Sequence, residues 1–263
     1  MTPAEHAAFT GAVEARLAAD PDVLGLVGLG STSGEPPLPD EVSDHDLWLV
    51  TRPGTQERFR TDLGWLPDAG AIALRYRETA HGVKALYASG HLVELAVFDP
   101  DELGVARVNR HRVLLDRCGL VERLARLRAA TLAAAPPPPD ERWEAGQLLT
   151  KLVVGAGRAA RGEVLSGHAL VRSGAVGHLV TLARARLAPE RRALLDDLDP
   201  ARRLERALPE LAAEVERAVR LPVLDAARAL LAIVARERPD LVSAPARAAV
   251  EAALGQARGL RRG

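Results

Sequence analysis

Cysteine is almost missing from this chain. Cys118 is the only one in 263 residues, which excludes an intrachain disulfide framework and a cysteine-rich zinc site. Aromatic side chains are scarce too: three Trp, three Phe and two Tyr are too few to stack bases along a single nucleic-acid strand. No charge of one sign predominates. Lys+Arg and Asp+Glu are 35 each, which argues against a chain that coats nucleic acid or an anionic membrane. No stretch reaches ~18 uninterrupted apolar residues, and MTPAEHAAFTGAVEARLAAD at the start lacks a basic leader and a long apolar core. The expectation is a cytoplasmic globular protein without a membrane segment. Lysine is limited to Lys84 and Lys151, while arginines are spread along the chain, a compositional bias rather than a phosphate-binding block. What remains is ordinary for a folded protein, 48% hydrophobic and 27% charged, long enough for one or two domains.

Local signals divide the chain in two. Thr2, Pro3 and Glu5 form a capping-box start, and Phe9, Val13 and Leu17 give the following helix one buried face up to Asp20-Pro21. Val23–Leu29 reads as a buried strand closing on Gly30-Ser31, and GEPPLPDEVS at 34–43 can continue neither helix nor strand. A strand over 44–50, a helix over 55–63 and strands over 71–77, 83–88 and 92–98 follow, with 112–116 as a short edge strand. AAAPPPPD at 133–140 is a stiff spacer. Beyond it Ala, Leu and Arg recur at helical spacing, interrupted near Gly162, Pro189, Pro200, Pro222 and Pro239, which predicts five or six helices. The expected fold class is α+β, with a mixed-sheet domain over 1–134 and an all-helical bundle over 140–263.

Chemistry concentrates in GLGSTSGEPPLPDEVSDHDLWLV, residues 28–50. Asp44 and Asp46 are two apart on a strand and share a face, while His45 points the other way as a structural residue. Adjacent carboxylates repel, so either one is protonated or a cation neutralises both; a solvated or capping pair at a strand start is the alternative. Glu94 is the lone acid in HLVELAVF, residues 91–98, and needs a partner in so apolar a strand. That partner is either a shared metal beside Asp44 and Asp46 or an arginine on an adjacent strand, such as Arg75 or Arg77. Gly30 and Ser31 suit a phosphate turn. A dinucleotide-binding loop is excluded because no helix can follow directly, and a P-loop because Gly-Lys-Ser/Thr is missing.

A strand ending in Gly30-Ser31, a polar loop, Ser43-Asp44-X-Asp46 opening an aliphatic strand, and Glu94 later in a strand resemble the DNA polymerase β-like nucleotidyltransferase superfamily. The added helical half is similar in architecture to antibiotic nucleotidyltransferases acting on aminoglycosides and lincosamides. The resemblance implies Asp44, Asp46 and Glu94 as ligands of two Mg²⁺ ions, with Glu94 as a third ligand or a general base. It also implies Gly30, Ser31 and Ser43 at the triphosphate, and ATP or another nucleoside triphosphate as the donor to a hydroxyl of a small molecule, antibiotics included. The loop between Ser31 and Asp44 departs from minimal members, being longer and without an arginine after Gly-Ser. A protein AMP-transferase of the antitoxin type and a non-catalytic regulatory module are the rival readings.

Elsewhere, Arg161–His168 and Arg172–His178 match the spacing of a helical-ribonuclease signature, as Arg75–His81 does in the sheet half; such matches arise by chance in so arginine-rich a chain. Asp140, Glu141, Trp143, Glu144 and Lys151 read as a capped helix start with Trp143 in the core. The alternative makes them the lining of an acceptor pocket whose acids bind amines.

Overall fold

Thr2 caps the first helix, α1 (Pro3–Ala18): its side chain accepts from the Glu5 main-chain N–H, and the Glu5 carboxylate returns the bond to Thr2. The next elements are β1 (Val23–Leu29), β2 (His45–Thr51), α2 (Gln56–Thr61), β3 (Ile72–Arg77), β4 (Gly82–Tyr87), β5 (Leu92–Phe98), β6 (His111–Asp116) and α3 (Leu120–Ala133). This computed structural model describes residues 1–36, 38–134, 137–196 and 198–260. It divides into two units, Met1–Ala135 and Pro136–Gly263. Ala135 and Pro136, part of the expected stiff spacer, lie outside the described residues.

The six strands form one mixed sheet in the order β3-β4-β5-β2-β1-β6, and only β2 and β5 run parallel. On one face Leu47, Leu49, Val93, Leu95 and Val97 pack with Val13 and Leu17 of α1 and Phe59 of α2. On the other, Val27, Val50 and Phe98 pack with Leu120 and Leu124 of α3. The sequence reading leaves α3 unassigned. Its start signal is displaced: Asp116, four residues ahead of the helix start, accepts main-chain N–H groups of Cys118, Gly119, Leu120 and Val121.

The second unit comprises α4 (Glu141–Ala160), α5 (Val164–His168), a π-helical segment (Ala169–Ala175), α6 (Val176–Ala185), α7 (Pro189–Arg192), α8 (Leu204–Ala207), α9 (Pro209–Arg220), α10 (Val223–Glu237) and α11 (Ala244–Leu260). Leu148, Leu152 and Ala156 of α4 meet Leu230, Leu231 and Val234 of α10 and Leu254 of α11 in its core. Gly155 and Gly167 let α4 and α5 touch through their backbones: a Cβ on Gly167 would lie 2.7 Å from the Gly155 carbonyl oxygen. Among the described residues no helix is long and apolar enough to cross a membrane.

Candidate active site

Strand register assembles the site. Asp46 is the Cα partner of Leu29 on β1 and of Glu94 on β5; Glu94 is in turn the partner of Lys84 on β4, and Lys84 of Tyr76 on β3. With His111 opposite Leu29, a single row crosses the sheet as His111, Leu29, Asp46, Glu94, Lys84 and Tyr76. Side chains in such a row share a face. Along β2 the half-buried Asp46 and Trp48 alternate with the buried His45, Leu47 and Leu49, and Asp44 lies one residue ahead of the strand. The same face is closed by α3 nearer Trp48 and Phe98, whereas Glu94 is 35% and Tyr76 48% exposed.

The turn after β1 lies against this row. Gly30 has φ +52°, and a Cβ there would come within 2.5 Å of Asp46 Oδ2. Glycine is therefore needed twice, for its backbone conformation and for room beside a carboxylate. Ser33 Oγ donates to the Gly30 carbonyl at 2.7 Å, closing the turn, and Ser31 Oγ to the Asp44 carbonyl at 3.4 Å, tying the turn to the main chain ahead of β2. Thr32 Oγ1 is buried in the same turn without a hydrogen-bond partner among the described residues. Ser43 lies apart from the turn; its hydroxyl donates to Asp40 Oδ1 at 2.9 Å.

Glu94 has a cation beside it. Lys84 Nζ is 2.9 Å from Glu94 Oε1 and 2.9 Å from Glu78 Oε1, and the two carboxylates hold the Lys84 pKa above its usual range. The arginines expected as alternatives are occupied elsewhere: Arg75 donates to the Thr61 carbonyl and Arg77 pairs with Glu57. Asp46 and Glu94 bring two carboxylates side by side in the row. Among the described residues no three His, Cys, Asp or Glu side chains form a group that could hold a metal ion, and Lys84 holds one oxygen of Glu94.

Behind Asp44, on the other face of β2, lies a cluster that strand alternation indicated only through His45. His6, His45 and His91 are all buried. The His6 and His45 rings stack at 3.6 Å, and His45 meets His91 edge-on at 4.8 Å. Burial, with His6 and His91 beside it, pushes the His45 pKa down to about 3. A cavity of about 750 Å³ opens next to it, lined by Phe9, Asp44, His91 and the acids Glu5, Glu41 and Asp68. Asp46 and Glu94 do not line it.

In the second unit, Asp140 caps α4 through the Arg142 and Trp143 N–H groups, as the sequence suggests. Trp143 departs from the expectation of a core residue: it is 55% exposed, with its ring edge toward His178. Glu144 pairs with His178 Nδ1 at 2.5 Å and Glu141 with Arg238, so these acids already have partners.

No family model matches the chain, and no curated protein matches its sequence. Among solved structures, a nucleotidyltransferase-like protein from Exiguobacterium sibiricum aligns over 89% of this chain and 77% of its own, at 15% identity and a TM-score of 0.34. An aminoglycoside 6-adenyltransferase from Bacillus subtilis aligns over 95% of this chain and 96% of its own, at 14% identity and a TM-score of 0.29. Overlaps this loose leave the function to be read from this chain's own residues.

Proposed function

We propose that this chain transfers a nucleoside monophosphate, AMP from ATP, to a hydroxyl of a small molecule in the cytoplasm. The observation that carries the reading is the pairing of Asp46 with Glu94 in one half-buried row, with Gly30 pressed against Asp46. In this reading residues 1–134 are catalytic and residues 140–263 bind the acceptor. Asp44, Asp46 and Glu94 would hold Mg²⁺, two ions by the resemblance drawn above, which when bound would neutralise triphosphate charge and acidify the acceptor hydroxyl. Ser31 and the N–H groups of the Gly30 turn would steady phosphate oxygens, with Ser43 a contact only if its hydroxyl leaves Asp40. Lys84 occupies Oε1 of Glu94, which leaves Oε2 to a cation or to the acceptor's hydroxyl proton.

The resemblance drawn above makes an aminoglycoside or lincosamide antibiotic the first acceptor to try. The test is incubation with labelled ATP and Mg²⁺ against an aminoglycoside and lincosamide panel, with Asp46→Asn as control. Label on a small molecule that the variant does not transfer supports the reading. Label only on proteins of a cell lysate would move it to a protein AMP-transferase, and no transfer with intact Mg·ATP binding would leave a regulatory module.

A further inference from the structure

The three histidines behind β2 form a hydrogen-bond chain whose protons can be assigned from the atoms they face. Thr10 Oγ1 lies 3.0 Å from the His6 carbonyl and spends its only proton there. The same oxygen lies 3.0 Å from His45 Nε2, so toward that nitrogen it can only accept. His45 Nε2 also faces the His6 carbonyl at 3.1 Å, a second acceptor. His45 therefore carries its proton on Nε2, and its Nδ1 is a lone pair. That lone pair is 3.0 Å from His91 Nε2, which must donate. At the other end His6 Nε2 is 3.1 Å from the main-chain carbonyl of Asp44 and must donate as well.

We infer that His6, backed by His45, is a positioning residue for Asp44, its Nε2–H pinning the main chain where β2 begins and so setting the direction of the Asp44 carboxylate. The inference rests on the reading of Asp44 given under the proposed function. The pin comes from α1, outside the sheet, while Ser31 holds the same carbonyl from the turn after β1. Two donors on one carbonyl fix Asp44 at a place where the loop ahead of it, rich in proline and polar residues, supplies no strand pairing. The stack of His6 on His45 keeps the donor's ring plane from turning.

The experiment uses the full chain. Nitrogen-15 NMR of labelled histidine reads the tautomers directly, and calorimetry reads the affinity for Mg²⁺ with a non-hydrolysable ATP analogue. The tautomers of His6 and His45 should both be Nε2–H. His6→Leu, which keeps bulk but loses the donor, should weaken binding of the metal–nucleotide pair ~10-fold and lower kcat by up to ~10²-fold, the scale of a small misplacement. His6→Gln, which restores an N–H at similar reach, should recover most of both. An Nδ1–H tautomer at His6 overturns the inference, and does so even if the leucine variant fails to fold. So does a folded His6→Leu that binds as the unaltered chain does. Asp44→Ala separates the two levels: if it weakens binding while His6→Leu does not, only the pin is wrong. If Asp44→Ala also binds normally, the reading of Asp44 itself is overturned.

Discussion

Gly30 and Lys84 show how single residues set the character of the row. Gly30 combines a left-handed φ with contact to Asp46, so Gly30→Ala should cost about 1–3 kcal/mol of stability. It should also weaken Mg·ATP binding, because the new methyl displaces the Asp46 carboxylate; urea denaturation and calorimetry measure the two effects. Lys84 is one of two lysines in a chain whose other basic residues are arginine, and its compact ammonium sits between Glu78 and Glu94. Lys84→Met removes the charge that balances Glu94 and should cost about 1 kcal/mol, since the pair is partly exposed. Lys84→Arg keeps the charge but widens the head group, and should preserve stability better than it preserves turnover. Turnover kept by Lys84→Arg and lost in Lys84→Met would instead assign the lysine to charge alone.

At the scale of elements, the junction of α1 with β2 stores a pH dependence. Burial holds His45 neutral, with a pKa of about 3 against an ordinary value near 6.5. Between those values the unfolded chain binds a proton at this site and the folded chain does not, so stability rises with pH across the window. Below about pH 6.5 the contribution is lost progressively, down to about pH 3. His91, whose pKa burial also lowers, adds in the same direction. Denaturation at pH 7 and pH 5 should show the loss, and His45→Asn should reduce it. In the helical unit the Gly155–Gly167 contact is backbone on backbone, so Gly167→Ala should cost about 1–3 kcal/mol by overpacking. A neutral outcome, read from the melting temperature, would mean that α4 and α5 separate freely.

For the whole molecule, each unit has its own apolar core, one built on the two faces of the sheet and one around α4. Residues 1–135 expressed alone should therefore unfold cooperatively. They should also bind Mg·ATP, since the row from His111 to Tyr76 lies wholly within them. Circular dichroism and calorimetry on that fragment check both statements. Loss of binding from a folded fragment would place part of the nucleotide site in residues 136–263.

Much of the first unit was legible locally. The capping box of α1 and the limits of β1 and β5 follow from Thr2, Pro3, Glu5 and runs of apolar residues, because caps and strand burial leave short-range signals. Alternation placed Asp46 and His45 on opposite faces of β2. Partners across the sheet were not legible. That Glu94 meets Lys84 rather than an arginine depends on which strand lies beside β5, and that Trp143 faces outward depends on how α4 meets α6. The gathering of His6, His45 and His91 joins positions up to 85 apart in sequence order, through the packing of α1 onto a sheet whose strand order no local pattern encodes. The sequence by itself determined which residues carry charge and which way each strand turns them; the tertiary structure decided which charge stands opposite which, because register and strand order arise from burial summed over the whole sheet.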